Sequence, residues 1–331
     1  MVNIFLQRRG GYLRMFALSK WKDMSDRLQF FKGVKLSFAK IPGTGIKVSI
    51  PVLFILALGF CLATALPGFS LQTKISPATP RLGETISVVV PIETPGGENP
   101  TVTVGDKTYP TFAISGDRYR ALIPTTPLDK PGKLTIKVNH SGAVRNLAVQ
   151  LKNRSFPVQR INLPPGKSGV EASETELSRV AAFKQLVTPE KFWNGALRRP
   201  NKGRVSTIYG VRRYYNGEFA QDYYHRGIDY AGAEGSPIVA PADGRVALVG
   251  RESEGFRIHG NVVGIDHGQG VEGIFLHLSR IDVKEGDFVK AGQKIGAVGS
   301  TGASTGPHLH WGLYVNGLSV DPIPWLESDI E

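Results

Sequence analysis

The chain of 331 residues has a single cysteine, Cys61. It lies in an apolar run near the N-terminus, so everything beyond it is cysteine-free. Disulfides are excluded there, and a closed, thiolate-type structural zinc site is disfavoured. A bulky Phe60 precedes the cysteine where small residues are expected, which argues against a lipoprotein. A basic folded patch is also missing. Ten Lys/Arg stand against Asp23 and Asp26 within residues 1–47, which is +8 of the net +12 and leaves +4 for the rest. Nucleic acid is therefore not an expected partner. There is no H-E-x-x-H, so the helix-borne zinc site with a glutamate base is excluded too.

What is present begins with a leader. Residues 1–47 are basic, and "VSIPVLFILALGFCLATALPG" from Val48 to Gly68 carries no charge. With Ala63-Thr64-Ala65 behind it, residues 48–66 read as the apolar region of a signal peptide or as a signal anchor. Either places the bulk of the chain across the cytoplasmic membrane: periplasmic, in the cell envelope or secreted, with membrane anchoring through the apolar segment as the alternative to cleavage.

Residues 67–80 read as a linker. From 81 to 152, "TISVVVP", "TVTVG", "RYRALIP" and "KLTIKV" are short, alternating and punctuated by Gly, Pro, Asp and Asn. The pattern predicts a small β-sandwich, with His140 at a turn. Residues 153–200 form a connector with a helix. Ser173 followed by Glu176 is a capping-box signature, Leu177, Val180, Ala181 and Val187 share one face, and Pro189 ends it. Residues 201–326 are β-rich and dense in glycine. Asn316-Gly317 predicts a tight hairpin after "HWGLYV".

Six of the seven histidines lie in the last third. His308 and His310 flank Leu309, so on a strand they share one face and Leu309 faces the core. His225 stands four residues before Asp229. An ideal strand would hold them roughly 13 Å apart. A shared ion requires a kink, which Gly227 permits. Adding one histidine of the 308–310 pair makes a His₂Asp set, the pattern of a catalytic zinc with its fourth position open. The other histidine of the pair and His277 stay free for acid–base or oxyanion work. His267 reads as structural, and His259 as part of an exposed loop. Loops 211–224 and 250–260 are the expected pocket walls.

The stretches "HRGIDYAGAEGSPIVAPADGRV", "GNVVGIDHGQG", "FLHLSRIDVKEGDFVKAGQKIGAVGSTG" and "STGPHLHWGLYVNG" resemble the M23 (lysostaphin/LytM-type) zinc metallopeptidases. The likeness runs from about Gly203 to Trp325. The preceding β segment loosely resembles the Ig-like modules that accompany this domain. The resemblance implies a mainly β protein: a small Ig-like β-sandwich, a connecting helix and a C-terminal antiparallel β-sheet peptidase domain. It implies one Zn²⁺ per chain, bound by His225, Asp229 and His310, with His277 and His308 catalytic. Phe275 and Trp311 replace the commoner tyrosine and phenylalanine, and both keep an aromatic. All five metal and catalytic positions are retained, whereas regulatory relatives that have lost catalysis lack some.

The implied function is a zinc metalloendopeptidase that hydrolyses peptide bonds of bacterial peptidoglycan, its expected partner. The alternative is a weakly active or inactive cell-wall binding protein or amidase activator that keeps the zinc. A biotinyl- or lipoyl-type carrier is also suggested by "APADGRV" and "VKEGDFVKAGQKIGAVG". The intervening "GNVVGIDHGQGVEGIFLHL" has no lysine to carry the group, so that likeness is one of β fold alone. Nothing in the sequence bears on oligomeric state.

Overall fold

The structure, a computed structural model, describes residues 38–40, 47–49, 73–92, 98–162 and 171–330. Two compact units divide the chain, Met1–Ser70 and Leu71–Glu331. In the first, β1 (Phe38–Lys40) and β2 (Lys47–Ser49) pair antiparallel. The rest of the basic leader, the apolar run with its Ala-x-Ala site and Cys61 lie outside the described residues. No helix among the described residues is long and apolar enough to cross a membrane.

The second unit opens with eight strands: β3 (Lys74–Ser76), β4 (Thr85–Pro91), β5 (Thr101–Val104), β6 (Lys107–Tyr109), β7 (Thr111–Ser115), β8 (Arg118–Pro124), β9 (Gly132–His140) and β10 (Ala143–Leu151). They form two four-stranded antiparallel sheets, ordered β3-β4-β8-β7 and β10-β9-β5-β6. Strand β3 lies inside the stretch expected to be linker. Ile86, Val88 and Val90 of β4 alternate inward to meet Val102, Ile136 and Val138 of the other sheet, as the period-2 pattern requires. The opposite face of β4 and β8 is buried as well. Leu122 joins the core of the C-terminal sheet, and Thr85 accepts a hydrogen bond from the Trp325 indole at 3.2 Å. One outer face of the sandwich is thus covered by the C-terminal part of the same unit.

The connector holds β11 (Val158–Ile161) and helix α1 (Glu174–Lys184). Ser173 caps the helix, its Oγ accepting the Glu176 N–H at 3.0 Å. The buried face differs from the expected one. It is Glu176, Val180 and Phe183, while Leu177 and Val187 are exposed. Val180 and Phe183 pack on Leu248, Phe256, Val262 and Ile274 of the C-terminal sheet, which draws the helix onto that face.

The remaining strands are β12 (Arg204–Thr207), β13 (Arg212–Tyr215), β14 (Glu218–Phe219), β15 (Ile228–Ala231), β16 (Pro237–Val239), β17 (Gly244–Gly250), β18 (Val262–Gly268), β19 (Val271–Leu276), β20 (Leu278–Ile281), β21 (Phe288–Val289), β22 (Lys294–Val298), β23 (His308–Val315) and β24 (Leu318–Val320), then helix α2 (Ile323–Glu327). The main sheet has eight strands, ordered β12-β15-β23-β19-β18-β17-β21, with β24 paired to β23. Every pair in it is antiparallel. Strands β16, β22 and β20 form a second sheet, and β11 runs parallel to β13 beside β14. Asn316 and Gly317 both have positive φ, 47° and 85°, and close the β23–β24 hairpin as a type I′ turn.

Candidate metal centre

Register brings the candidate residues together. Strand β15 pairs with β23 so that Asp229 lies directly opposite His310. Strand β19 pairs on the other side of β23, with Leu276 opposite His310, so His277 follows at the same height. Leu309 is fully buried while His308 and His310 are partly open, as the alternation predicts. His225 lies before β15, where the chain bends at Gly227. A Cβ at Gly227 would stand 2.3 Å from the Trp311 carbonyl oxygen and 2.8 Å from His310 Nε2. Only glycine lets the bend come this close to β23.

Three ligand atoms converge. His225 Nε2 is 3.0 Å from Asp229 Oδ1 and 3.0 Å from His310 Nδ1, and His310 Nδ1 is 2.9 Å from Asp229 Oδ1. The remaining nitrogen of His225, Nδ1, donates to the Ile208 carbonyl at 2.9 Å, which leaves Nε2 as a bare lone pair. A single proton, on His310 Nδ1, is all that can lie among these atoms while the imidazoles are neutral. The His225 Nε2 and Asp229 Oδ1 lone pairs then face each other at 3.0 Å, a repulsion that a cation at their centre converts to attraction. Two imidazole nitrogens and one carboxylate oxygen fit a borderline metal ion that keeps an open position. Among the described residues this trio is the one group of His, Cys, Asp and Glu with ligand atoms this close.

The other two histidines stand beside it. His308 Nε2 is 3.9 Å from Asp229 Oδ1, and the rings of His277 and His308 lie 4.8 Å apart. His277 Nδ1 donates to the Thr301 carbonyl at 2.8 Å, and His308 Nδ1 to the Gly306 carbonyl at 2.8 Å. Both tautomers are thereby set, with Nε2 left as the acceptor. His277 has φ +67° at the corner where the chain leaves β19 for β20, and so passes from the main sheet to the second. A left-handed non-glycine residue is strained, and such strain gathers at functional corners. Burial, with His308 and His310 nearby, pushes the His277 pKa down to about 3. Burial likewise lowers His310 to about 4. Burial alone would raise the Asp229 carboxyl, but the adjoining His225 and His310 rings hold it well below the usual carboxylate range.

The cleft over these atoms has a volume of about 1570 Å³. That exceeds the roughly 300–1,000 Å³ of small-molecule sites. Both expected loops contribute walls. From 211–224 come Arg213, Tyr215 and Tyr223, the Arg213 guanidinium holding the two phenol oxygens at 3.3 and 3.1 Å. From 250–260 come Glu252, Arg257 and Ile258. The connector adds Gln159 of β11 and Leu177 of α1, which nothing in the sequence marks as site residues. His259 is not in an exposed loop as expected. It is half-buried, and its Nδ1 lies 2.6 Å from Glu176. His267 is fully buried, with Nδ1 2.8 Å from the Asp243 carbonyl, away from the converging atoms.

Residues 223–322 match the family model described as Peptidase family M23. They form a peptidase M23 domain, the class that the sheet and its histidine site define. The chain is 48% identical over 99 residues to a DD-carboxypeptidase/endopeptidase, Mpg, of Neisseria meningitidis, covering 30% of this chain and 22% of that protein. It is 42% identical over 119 residues to the peptidoglycan DD-endopeptidase ShyC of Vibrio cholerae, covering 36% and 26%. Lysostaphin of Staphylococcus staphylolyticus is 42% identical over 109 residues, covering 31% and 22%. The chain thus spans about a quarter or less of the length of these relatives. A solved structure from Pseudomonas aeruginosa assigned to peptidase M23 is 29% identical, covers 76% of this chain and 95% of its own, and superposes with a TM-score of 0.57. That likeness extends beyond the matched domain.

Proposed function

We propose that this protein is a zinc endopeptidase that cuts peptide bonds of bacterial peptidoglycan. The observation that carries the reading is the convergence of His225 Nε2, Asp229 Oδ1 and His310 Nδ1 within 3.0 Å of one another. His225, Asp229 and His310 hold the metal. When bound, Zn²⁺ supplies Lewis acidity, polarising the scissile carbonyl and lowering the pKa of a water from 15.7 to about 7.

His277 and His308 act on the protons. Each presents Nε2 to the cleft because Nδ1 is committed to a main-chain carbonyl. A proton released by the attacking water is accepted at one of these nitrogens. The protonated ring then donates to the departing amine or to the developing oxyanion. The cleft orients an extended peptide across them, its Arg213–Tyr215–Tyr223 wall offering a cation and two hydroxyls. A peptidoglycan substrate and a place outside the cytoplasmic membrane are supported by the names of the relatives and by the leader in the sequence. The two sheet orders of residues 74–151 correspond to the A-B-E-D and G-F-C-C′ sheets of an immunoglobulin-like sandwich, which supports that reading of the N-terminal module.

Purified protein incubated with sacculi tests the proposal. Released muropeptides, lost on chelation and regained with Zn²⁺, are expected. Zinc-loaded protein that binds sacculi without releasing any fragment would favour the activator alternative.

A further inference from the structure

A glutamate at the third position of a helix ordinarily reaches back to the N-cap amide. Glu176 of α1 does not. Its own N–H completes half of the box with Ser173, while the carboxylate turns into the protein and is fully buried. There it accepts hydrogen bonds from three successive main-chain amides, Arg257 at 3.0 Å, Ile258 at 3.0 Å and His259 at 2.7 Å, and from His259 Nδ1 at 2.6 Å. Burying a carboxylate is costly unless donors converge on it, and here four do.

The clamped loop leads to the catalytic candidates. The His259 carbonyl accepts the His277 N–H at 3.0 Å. The Ile258 carbonyl accepts the Ala303 N–H at 3.0 Å. The Asn261 N–H donates to Thr301 Oγ1 at 2.9 Å, and the Thr301 carbonyl holds His277 Nδ1. His277 sits at φ +67°, which persists only where the surroundings over-determine it. Both main-chain partners of His277, the carbonyls of His259 and Thr301, thus belong to segments that the 257–261 loop pins, and Glu176 pins that loop.

We propose that Glu176 is a positioning residue for His277, acting through the 257–259 loop to fix the ring's place and tautomer. The proposal rests on the peptidase reading of the site. Glu176 lies outside residues 223–322, so the helix before the family domain completes the arrangement within it.

The test compares full-length wild type with Glu176→Gln and Phe183→Leu. Phe183 packs α1 on the sheet and is not one of the donors to Glu176, so its variant loosens the packing while leaving the carboxylate and its donors in place. Zinc content, KM and kcat on soluble peptidoglycan fragments, and long-range ¹H–¹⁵N spectra of the histidine rings are read. Glu176→Gln should keep its zinc and KM, lose about 10- to 100-fold in kcat, and show His277 no longer held as one Nδ1–H tautomer. Phe183→Leu, with a lowered Tm, should keep kcat and the tautomer. A wild-type kcat or an unaltered His277 spectrum in Glu176→Gln overturns the proposal, as does an equal kcat loss in both variants. If Glu176→Gln does not fold, Glu176→Asp, whose shorter side chain cannot reach all three amides, takes its place, and an unaltered His277 spectrum there overturns the proposal. A wild type inert on peptidoglycan refutes the hydrolase reading, and the His277 spectrum then decides the fate of Glu176 separately.

Discussion

Asp229 lies between two imidazoles, and each of the three side chains is oriented by something other than its neighbours. Strand register holds Asp229 and His310, and the Ile208 carbonyl holds His225. Removing one therefore leaves a formed but incomplete site. Asp229→Ala, His225→Ala and His310→Ala should each lose zinc, measured by elemental analysis, and full zinc in Asp229→Ala would refute the ligand assignment. His277→Ala and His308→Ala should keep zinc and lose about 10²-fold or more in turnover, the scale of a positioned acid–base group. Wild-type hydrolysis by either would end its catalytic role. Acid should act on the metal-free fold through the same residues. Burial holds the His277 pKa at about 3 and that of His310 at about 4, whereas unfolded imidazoles titrate near about 6.5. Below that pH the unfolded chain binds more protons, so their contribution is complete above about pH 6.5 and is lost as pH falls toward 4 and 3. Between about pH 6.5 and 4 the Tm of chelator-treated protein should fall more steeply than that of a His277→Ala, His310→Ala protein. A His277→Ala, His310→Ala protein with the same slope would refute the cause.

At the scale of elements, two local breaks make the site. One is the bend at Gly227, where β23 is approached so closely that a methyl would strike the Trp311 carbonyl. Gly227→Ala should force His225 away from Asp229, weakening zinc binding at least tenfold by competition with a chelator; unchanged zinc affinity would show that the bend adapts. The other is the sheet change at His277. Glycine at position 227 is readable in the sequence as permission to bend. The left-handed histidine is not readable, because its strain is balanced by carbonyls of residues 259 and 301. Helix α1 shows the same division. Ser173 and Glu176 announce its start, yet the expected apolar face was displaced, since Glu176 is buried by loop amides and Leu177 is left facing the cleft.

Residues 71–331 form one compact unit, and the joints across it are buried. Arg120 of β8 is 1% exposed, donates to the Ile330 carbonyl and Gln269 Oε1, and stacks its guanidinium 4.9 Å from the Trp193 ring. Asp321 pairs with Arg154, and the Asn316 amide donates to the Leu122 carbonyl. The sandwich, connector and peptidase domain should therefore melt in one transition. A chain cut to residues 201–331 uncovers Leu248, Phe256 and Val262, where Val180 and Phe183 sat. It should melt lower or aggregate, and restoring residues 153–200 should recover part of the loss. A fragment 201–331 that melts as high as the full chain would show that α1 and the sandwich add nothing to the core.

Side-chain type and spacing were enough to determine the five histidine and aspartate candidates, the β character of both halves and the Asn316-Gly317 hairpin. Each of these depends on neighbours in the chain: alternation over two residues, a glycine at a bend, a two-residue turn. Tertiary structure alone decided that Asp229 faces His310, that β11 and α1 wall the cleft, and that Glu176 serves a loop some 80 residues away rather than its own helix cap. Those outcomes are set by which surfaces remain to be buried once the sheets have formed and by which amides still lack an acceptor. A linear pattern carries neither quantity.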